Sequence, residues 1–268
     1  MAWQLTSDVE EFAAVTGEFL RSAPVRHTVF LTLVDTLRSR GPHAYGPEDP
    51  FFGWWTTPGA AIRGVLLQTP PHPVLFSELP ADAVPAAVTA LADRPIAGVN
   101  MLAGDIPRFA GDRPYVAGMR TRLHRLGALT PPEPAPPGVA RPATAADRDL
   151  LVDWFAGFDA FIGNRGPGID TIEYSRVTLW TDDGVPVAMA VRSRPQAGMV
   201  RILTVWTPPE LRRRGYAGGA TAAATRAALD EGASEVVLYT DLANPTSNAL
   251  YHRLGYRPVE DRAMVEFR

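Results

Sequence analysis

Apolar positions in the C-terminal half of the chain recur with two different periods, and each change of period marks an element. Leu150, Leu151, Trp154, Phe155 and Phe158 fall at helical spacing and predict a helix with one buried face. Ahead of it, Thr144 offers an N-cap hydroxyl, and Asp147 three residues on makes a capping-box-like pair. Residues 139–143 read as a short strand before that cap. Val177, Thr178, Leu179 and Trp180, the turn Asp182-Asp183-Gly184, and residues 187–191 predict a β-hairpin. A strand is expected at 199–206 and a helix at 215–231, where Ala217, Ala220, Ala224 and Ala228 allow close packing. Another strand follows at 235–240. Asn244 then reads as an N-cap, Pro245 as a first helical residue and Gly255 as a helix stop, with a closing strand at 263–267.

The N-terminal half gives a weaker pattern. Ser7 and Glu10 look like a capping box ahead of a helix carrying Phe12, Val15 and Phe19. Trp55-Thr56-Thr57-Pro58-Gly59, the run 62–68 and Pro70 parallel Trp180-Thr181-Asp182-Asp183-Gly184, a run from Val187 to Ser193 and Pro195, without a gap. Between the halves, residues 130–138 (Thr-Pro-Pro-Glu-Pro-Ala-Pro-Pro-Gly) form an extended, proline-rich linker. The expected division is therefore 1–129, linker 130–138 and 139–268.

The candidate chemistry lies where the strand containing Val205, Trp206 and Thr207 stops at Pro208 and Pro209. Prolines cannot extend a sheet. Arg212, Arg213, Arg214 and Gly215 follow, and then the alanine-rich helix begins with Tyr216, Ala217 and Gly218. Strand, tight turn and helix start together make a place for a phosphate, because the first amides of a helix have no internal partner and its dipole favours an anion. Glycine allows close approach of the backbone, and the arginines add positive charge. On its own the same loop reads more readily as a surface turn with solvated arginines. It carries no Gly-Lys-Ser/Thr and no Gly-x-Gly-x-x-Gly.

A second segment, from Asp241 to Tyr256, comes one helix and one strand later. Together the two resemble the GNAT superfamily of acyl-CoA-dependent N-acetyltransferases over roughly 139–268. Arg212, Gly215 and Ala217 match that family's pyrophosphate loop, Gln/Arg-x-x-Gly-x-Gly/Ala, and Asn244, Tyr251, Leu254, Gly255 and Tyr256 fill its downstream pattern. The resemblance implies an α+β GNAT fold, a mixed and mostly antiparallel sheet flanked by helices, in which two strands splay and pantetheine lies in the gap. It implies pantetheine contacts at Val205 and Thr207, pyrophosphate on the amides of 213–218, and Asn244 holding the pantetheine arm or the strand end. Tyr251 would protonate the departing CoA thiolate, and Trp206 would line the acceptor pocket or pack in the core.

The first half also resembles the N-terminal part of two-part bacterial acetyltransferases, at Gly98-Val99-Asn100, Phe109-Ala110 and residues 119–126. After Leu75-Phe76-Ser77-Glu78-Leu79, Pro80-Ala81-Asp82-Ala83 stands where Arg-x-x-Gly-x-Gly would be. A degenerate GNAT-like half that does not bind CoA in the usual way, and that walls the acceptor pocket, is expected. The activity implied is transfer of an acetyl group from acetyl-CoA, as co-substrate, to a small-molecule amine. A silent acyl-CoA-binding module and a longer-chain acyltransferase are the alternatives. No carboxylate occurs on the strand 199–207 to act as general base, and Asp159, Glu173 and Asp241 are more readily solvated or capping groups.

Composition narrows the partners. All 26 basic residues are arginine and the net charge is −3, which argues against a general nucleic-acid binder. The absence of cysteine excludes disulfides, thiolate catalysis and cysteine-rich zinc sites. The five histidines show no metal-ligand spacing, so no metal is expected. No apolar run reaches membrane-spanning length and no signal pattern opens the chain, so a cytoplasmic protein is expected, with a homodimer left open.

Overall fold

The computed structural model describes residues 1–59, 61–163 and 173–268. The chain forms two units that do not follow a single cut in the sequence. Unit 1 comprises Met1–Leu123, Asp241–Ala243 and Val259–Arg268; unit 2 comprises His124–Thr240 and Asn244–Pro258.

Unit 1 begins with β1 (Ala2–Thr6), α1 (Val9–Ser22), α2 (Thr28–Arg40), β2 (Phe51–Thr56), β3 (Ile62–Gln68) and β4 (Val74–Phe76). It continues through α3 (Ala83–Ala90), β5 (Gly98–Leu102), α4 (Ile106–Ala110) and β6 (Tyr115–Leu126), whose last residues enter unit 2. Its sixth neighbour in the sheet is the end of β12 (Tyr256–Phe267), giving the order β1-β2-β3-β4-β5-β12. β4 and β5 are parallel, and the other pairings described for this unit are antiparallel. Alternation along the strands separates two cores. Phe51, Trp55, Leu66 and Phe76 pack with α3 and α4, while Phe52, Trp54, Val65 and Leu67 pack with α1 and α2.

Two local expectations for this unit are corrected. The cap of α1 is Asp8, not Ser7: the Asp8 carboxylate accepts from the amides of Glu10 (2.7 Å) and Glu11 (3.3 Å), satisfying two first-turn donors at once. Val15 is exposed, and the buried face of α1 runs through Phe12, Thr16 and Leu20 instead.

The parallel ladder β4·β5 has two pairs, Val74↔Val99 and Leu75↔Asn100. Just beyond them lies the buried guanidinium of Arg262, from β12. It donates to Phe76 O, to Asn100 O and Oδ1 (3.2 Å each) and to Glu260 Oε1 (3.1 Å). The strand ends of this fork are thus joined by a side chain.

Unit 2 runs through β7 (Val139–Pro142), α5 (Arg148–Ile162), β8 (Val177–Asp182), β9 (Val185–Arg192), β10 (Met199–Trp206), α6 (Tyr216–Asp230), β11 (Glu235–Asp241) and α7 (Pro245–Arg253), with one helix among the described residues where unit 1 has α1 and α2. The sheet order is β7-β8-β9-β10-β11-β6, with β10 and β11 parallel. The Thr144–Asp147 capping box is present and opens the short turn leading into α5. Its carboxylate also takes two bonds from Arg141, at 2.7 and 2.8 Å. The hairpin turn falls at Asp183 and Gly184, both with positive φ. β12 starts at Tyr256, well before the expected 263, because the polar run around Arg257 and Glu260 hides a strand whose pattern is not apolar. Ala188, Ala190, Val200 and Ile202 face α6, and Met189, Val191 and Leu203 face α5.

Candidate active site

The site is built where β10 changes its pairing. Four parallel pairs tie β10 to β11, from Met199↔Glu235 to Ile202↔Leu238, and residues 203–206 run on beyond that ladder. On its other side, Ile202 opposes Arg192 while Val205 opposes Ala190, so β10 carries one extra residue there. A bulge of this kind bends the strand and reverses which face later side chains take. The packing shows the reversal. Ile202 packs on the α6 side, yet Trp206, of the same parity, packs on the α5 side with Leu151, Trp154 and Phe155. Val205 takes the α6 side in its place.

Trp206 meets Phe158 and Phe161 edge-on, with centroids 6.4 and 6.1 Å away. Gly157 makes room for it, since a Cβ there would stand 2.9 Å from the indole. An isolated glycine within an otherwise helical run is the sequence signal that points to such packing. Thr207 is buried, its Oγ1 has no hydrogen-bond partner among the described residues, and its carbonyl accepts from Arg212 Nε at 3.0 Å.

Beyond the strand, Arg213 (φ 66°) and Gly215 (φ 85°) both adopt the left-handed region, and Gly215 is the N-cap of α6. Left-handed residues in a turn of this kind help bring neighbouring amides to one concave side. The amides of Gly218 and Gly219 bond to Gly215 O at 2.9 and 3.2 Å. Helix geometry leaves those of Tyr216 and Ala217 without an intrahelical acceptor. Of the three arginines, Arg213 is exposed and has no partner among the described residues. Arg214 lies beside Glu210 O at 3.5 Å. Arg212 turns away from the helix start: its guanidinium lies 4.9 Å from the Trp206 ring centroid and 5.0 Å from that of Phe161.

Tyr216 is buried, and its hydroxyl donates to Asp182 Oδ2 at 2.5 Å, which raises the phenol above its ordinary range. The proline-rich segment packs on this unit. A Cβ at Gly219 would stand 2.9 Å from Trp180 and 3.0 Å from Pro136, one at Gly218 would approach Leu250 and Pro132, and Trp180 Nε1 donates to Pro137 O at 2.7 Å. Neither Pro132 nor Pro136 was expected at the site; the adjacent pair Gly218-Gly219 that meets them is the sequence signal.

Asn244 caps α7, its Oδ1 accepting from Ser247 N at 3.1 Å. Asn248 accepts from Thr240 Oγ1 (2.7 Å) and donates to Asn244 O (2.7 Å), which holds α7 to the end of β11. That hydroxyl has spent its one proton, so the His124 ring nitrogen 3.1 Å from it is the donor. Tyr251 is buried edge-on to Tyr256, with centroids 6.1 Å apart. Desolvation pushes its phenol well above the usual tyrosine range, so it carries its proton at neutral pH. Of the possible bases, Glu173 pairs with Arg194 (2.7 Å), and Asp241 caps the Ala243 amide at 2.9 Å.

Residues 149–256 match the family model described as Acetyltransferase (GNAT) family. That match supports an acyltransferase enzyme, and the GNAT family uses an acyl-CoA as co-substrate. Residues 149–256 are a GNAT acetyltransferase domain. No curated protein matches the chain in sequence. Among solved structures it is similar to a GCN5-related N-acetyltransferase from Sphaerobacter thermophilus, at TM-score 0.59 and 18% identity, over 86% of this chain and 84% of that one. An acetyltransferase from the GNAT family from Colwellia psychrerythraea is similar over 100% of both chains, with TM-score 0.61 and 11% identity. A GCN5-related glucosamine N-acetyltransferase region of a fungal multi-domain β-N-acetylglucosaminidase matches 98% of this chain and 38% of that one, at TM-score 0.60 and 11% identity. At such identities the likeness is one of fold, a mixed α+β sheet with flanking helices. Among the described residues, no helix is long and apolar enough to cross a membrane, and no cluster of three metal-ligating side chains occurs.

Proposed function

We propose that unit 2 takes acetyl-CoA as donor and moves its acetyl group to the amine of a small molecule by direct attack on the thioester. The observation that carries this reading is the fork: a parallel ladder that stops after Ile202↔Leu238, turned by a bulge, with the left-handed loop and the start of α6 just beyond. Pantetheine is an amide-bearing arm, and strand ends leaving a ladder offer it amides and carbonyls. In this reading Val205 and Thr207 meet that arm, and the unpaired Thr207 hydroxyl gains a partner. The pyrophosphate lies on the amides of 213–218 with Arg213 beside it, while Arg214 adds charge. Asn244 steadies the β11 end or the arm while it caps α7. Trp206 and Thr207 limit the length of the acyl chain.

Transfer forms a C–N bond and breaks the C–S bond; the amine loses a proton and the departing sulfur gains one. A thiol titrates near about 8.5, so a CoA thiolate is a weaker base than the Tyr251 phenolate. Tyr251 therefore acts first as a hydrogen-bond donor to the sulfur as charge builds there, and releases its proton late.

Calorimetric titration with acetyl-CoA, free CoA and a longer acyl-CoA tests the donor. Saturable binding with acetyl-CoA preferred is expected, and no binding to any of them would end the reading. A thiol-release screen then identifies the acceptor. Amino sugars come first, because the fungal glucosamine N-acetyltransferase region shares the fold over nearly the whole chain. Tyr251→Phe is expected to lower kcat by about 100-fold with acetyl-CoA affinity unchanged; full turnover would remove Tyr251 from the chemistry.

For unit 1 we infer a degenerate GNAT-like half that takes no acyl-CoA. Three observations support this. Its elements follow a similar succession with α2 added, its fork is joined by Arg262, and Pro80-Ala81-Asp82-Ala83 replaces the phosphate loop.

A further inference from the structure

The first arginine of the loop does not do what its place in the motif suggests. We propose that Arg212 is a positioning residue, a cationic clasp between the aromatic rings of Trp206 and Phe161 that fixes the phosphate loop against α5, rather than a ligand of the phosphates. The inference rests on the reading of unit 2 as an acyl-CoA site.

Three contacts hold the guanidinium: the ring of Trp206 at 4.9 Å, the ring of Phe161 at 5.0 Å, and Nε donating to Thr207 O at 3.0 Å. They tie one residue to two elements that the sequence keeps apart, the end of β10 and the last turn of α5. The bulge is what makes the clasp possible, because without the extra residue Trp206 would face α6. Gly157 is part of the same arrangement, since a side chain there would push the indole off α5. A planar guanidinium can stack on two rings and still donate through Nε; an ammonium cannot do both. Charge for the phosphates is left to Arg213, which is exposed, has no partner among the described residues and stands in the left-handed turn that aims the amides.

The consequence is coupling. Orienting the loop amides and holding α5 are one act, so a change at Phe161 should be felt in acyl-CoA affinity although Phe161 lies on another element. A direct phosphate ligand behaves differently. It tolerates Arg→Lys as a point charge, it weakens with salt, and its loss adds to that of an unconnected ring.

The test is a double-mutant cycle on acetyl-CoA binding by the full-length protein, read by calorimetry at low and high salt. Arg212→Ala and Arg212→Lys should each weaken binding about tenfold, by an amount that salt hardly changes. Phe161→Ala, a change at an exposed side chain, should weaken it about threefold. The double variant Arg212→Ala/Phe161→Ala should be no worse than Arg212→Ala alone. Arg213→Ala should weaken binding in a salt-dependent way and add fully to Phe161→Ala. Full retention by Arg212→Lys, or additivity of Arg212→Ala with Phe161→Ala, would overturn the clasp while leaving the acyl-CoA site standing. Failure of the unsubstituted protein to bind acetyl-CoA would overturn both.

Discussion

Replacing Arg262 by methionine should cost unit 1 about 3 kcal/mol, and the magnitude follows from what the guanidinium holds. Its side chain is 4% exposed and that of Glu260 6%, so water cannot replace the lost bonds. Three acceptors lose a donor: Phe76 O, Asn100 O and Asn100 Oδ1. A buried acceptor left unpaired costs about 1–3 kcal/mol. Glu260 is not wholly orphaned, because Arg26 Nη1 remains 3.2 Å from it. That keeps the estimate at the lower end of the range of about 3–5 kcal/mol for breaking a buried pair. With a slope of about 2 kcal/mol per molar urea, the midpoint of unit 1 should fall by about 1.5 M. Trp3, Trp54 and Trp55 of unit 1 contribute to the tryptophan fluorescence that follows the melt, alongside Trp154, Trp180 and Trp206 of unit 2. Arg262→Lys should lose nearly as much, since one ammonium cannot span the same four atoms. A shift below about 0.5 M for Arg262→Met would refute the view that this side chain joins the fork.

Three further outcomes follow from the packing. Gly219→Ala should destabilise unit 2 by about 1–2 kcal/mol in urea melts, because two rigid rings oppose the new methyl and outweigh its helix propensity; Gly17→Ala, which meets only the flexible end of Arg21, should gain up to about 1 kcal/mol. Thr207→Val should stabilise the free protein by about 1 kcal/mol, by removing a buried unpaired hydroxyl, and yet weaken acetyl-CoA binding; calorimetry and thermal melts on one sample would expose a variant that changes neither. The Arg141 guanidinium and the Thr144 cap hold the Asp147 carboxyl well below the usual carboxylate range. Its contribution is therefore complete above about pH 4 and is lost only as pH falls through the lower folded value. Asp147→Asn should cost about 2 kcal/mol at pH 7 and flatten that acid limb, and an unchanged pH profile would contradict the assignment.

Much of the site was legible because its parts are local. The Thr144–Asp147 pair, the Asn244 cap with Pro245 after it, the hairpin turn at Gly184 and the loop before α6 all depend on residues a few positions apart. The fate of Arg212 was not legible. Its partners depend on a bulge that exists only through pairing with β9, and no feature of the 199–206 run marks which residue is extra. The role of Arg262 was hidden for a similar reason, since Asn100 lies 162 residues away. Ser7 and Asp8 are adjacent and both suit a cap; the carboxylate prevails because it accepts from two amides where a hydroxyl would serve one. The true length of β12 escaped the hydropathy pattern because the strand begins with residues whose side chains make ion pairs rather than core.

The strand that completes the sheet of unit 1 comes after the whole of unit 2 in the chain. β5 acquires its outer neighbour, Arg262↔Leu102 through Glu266↔Gly98, only after residues 124–258 have been synthesised. At about 5–20 residues per second, the nascent N-terminal half waits roughly 10–30 s with β5 as an open edge. An open edge that carries Val99 and Met101 is a template for wrong pairing and a target for chaperones. Loss of residues 259–268 would thus damage the half of the protein made first.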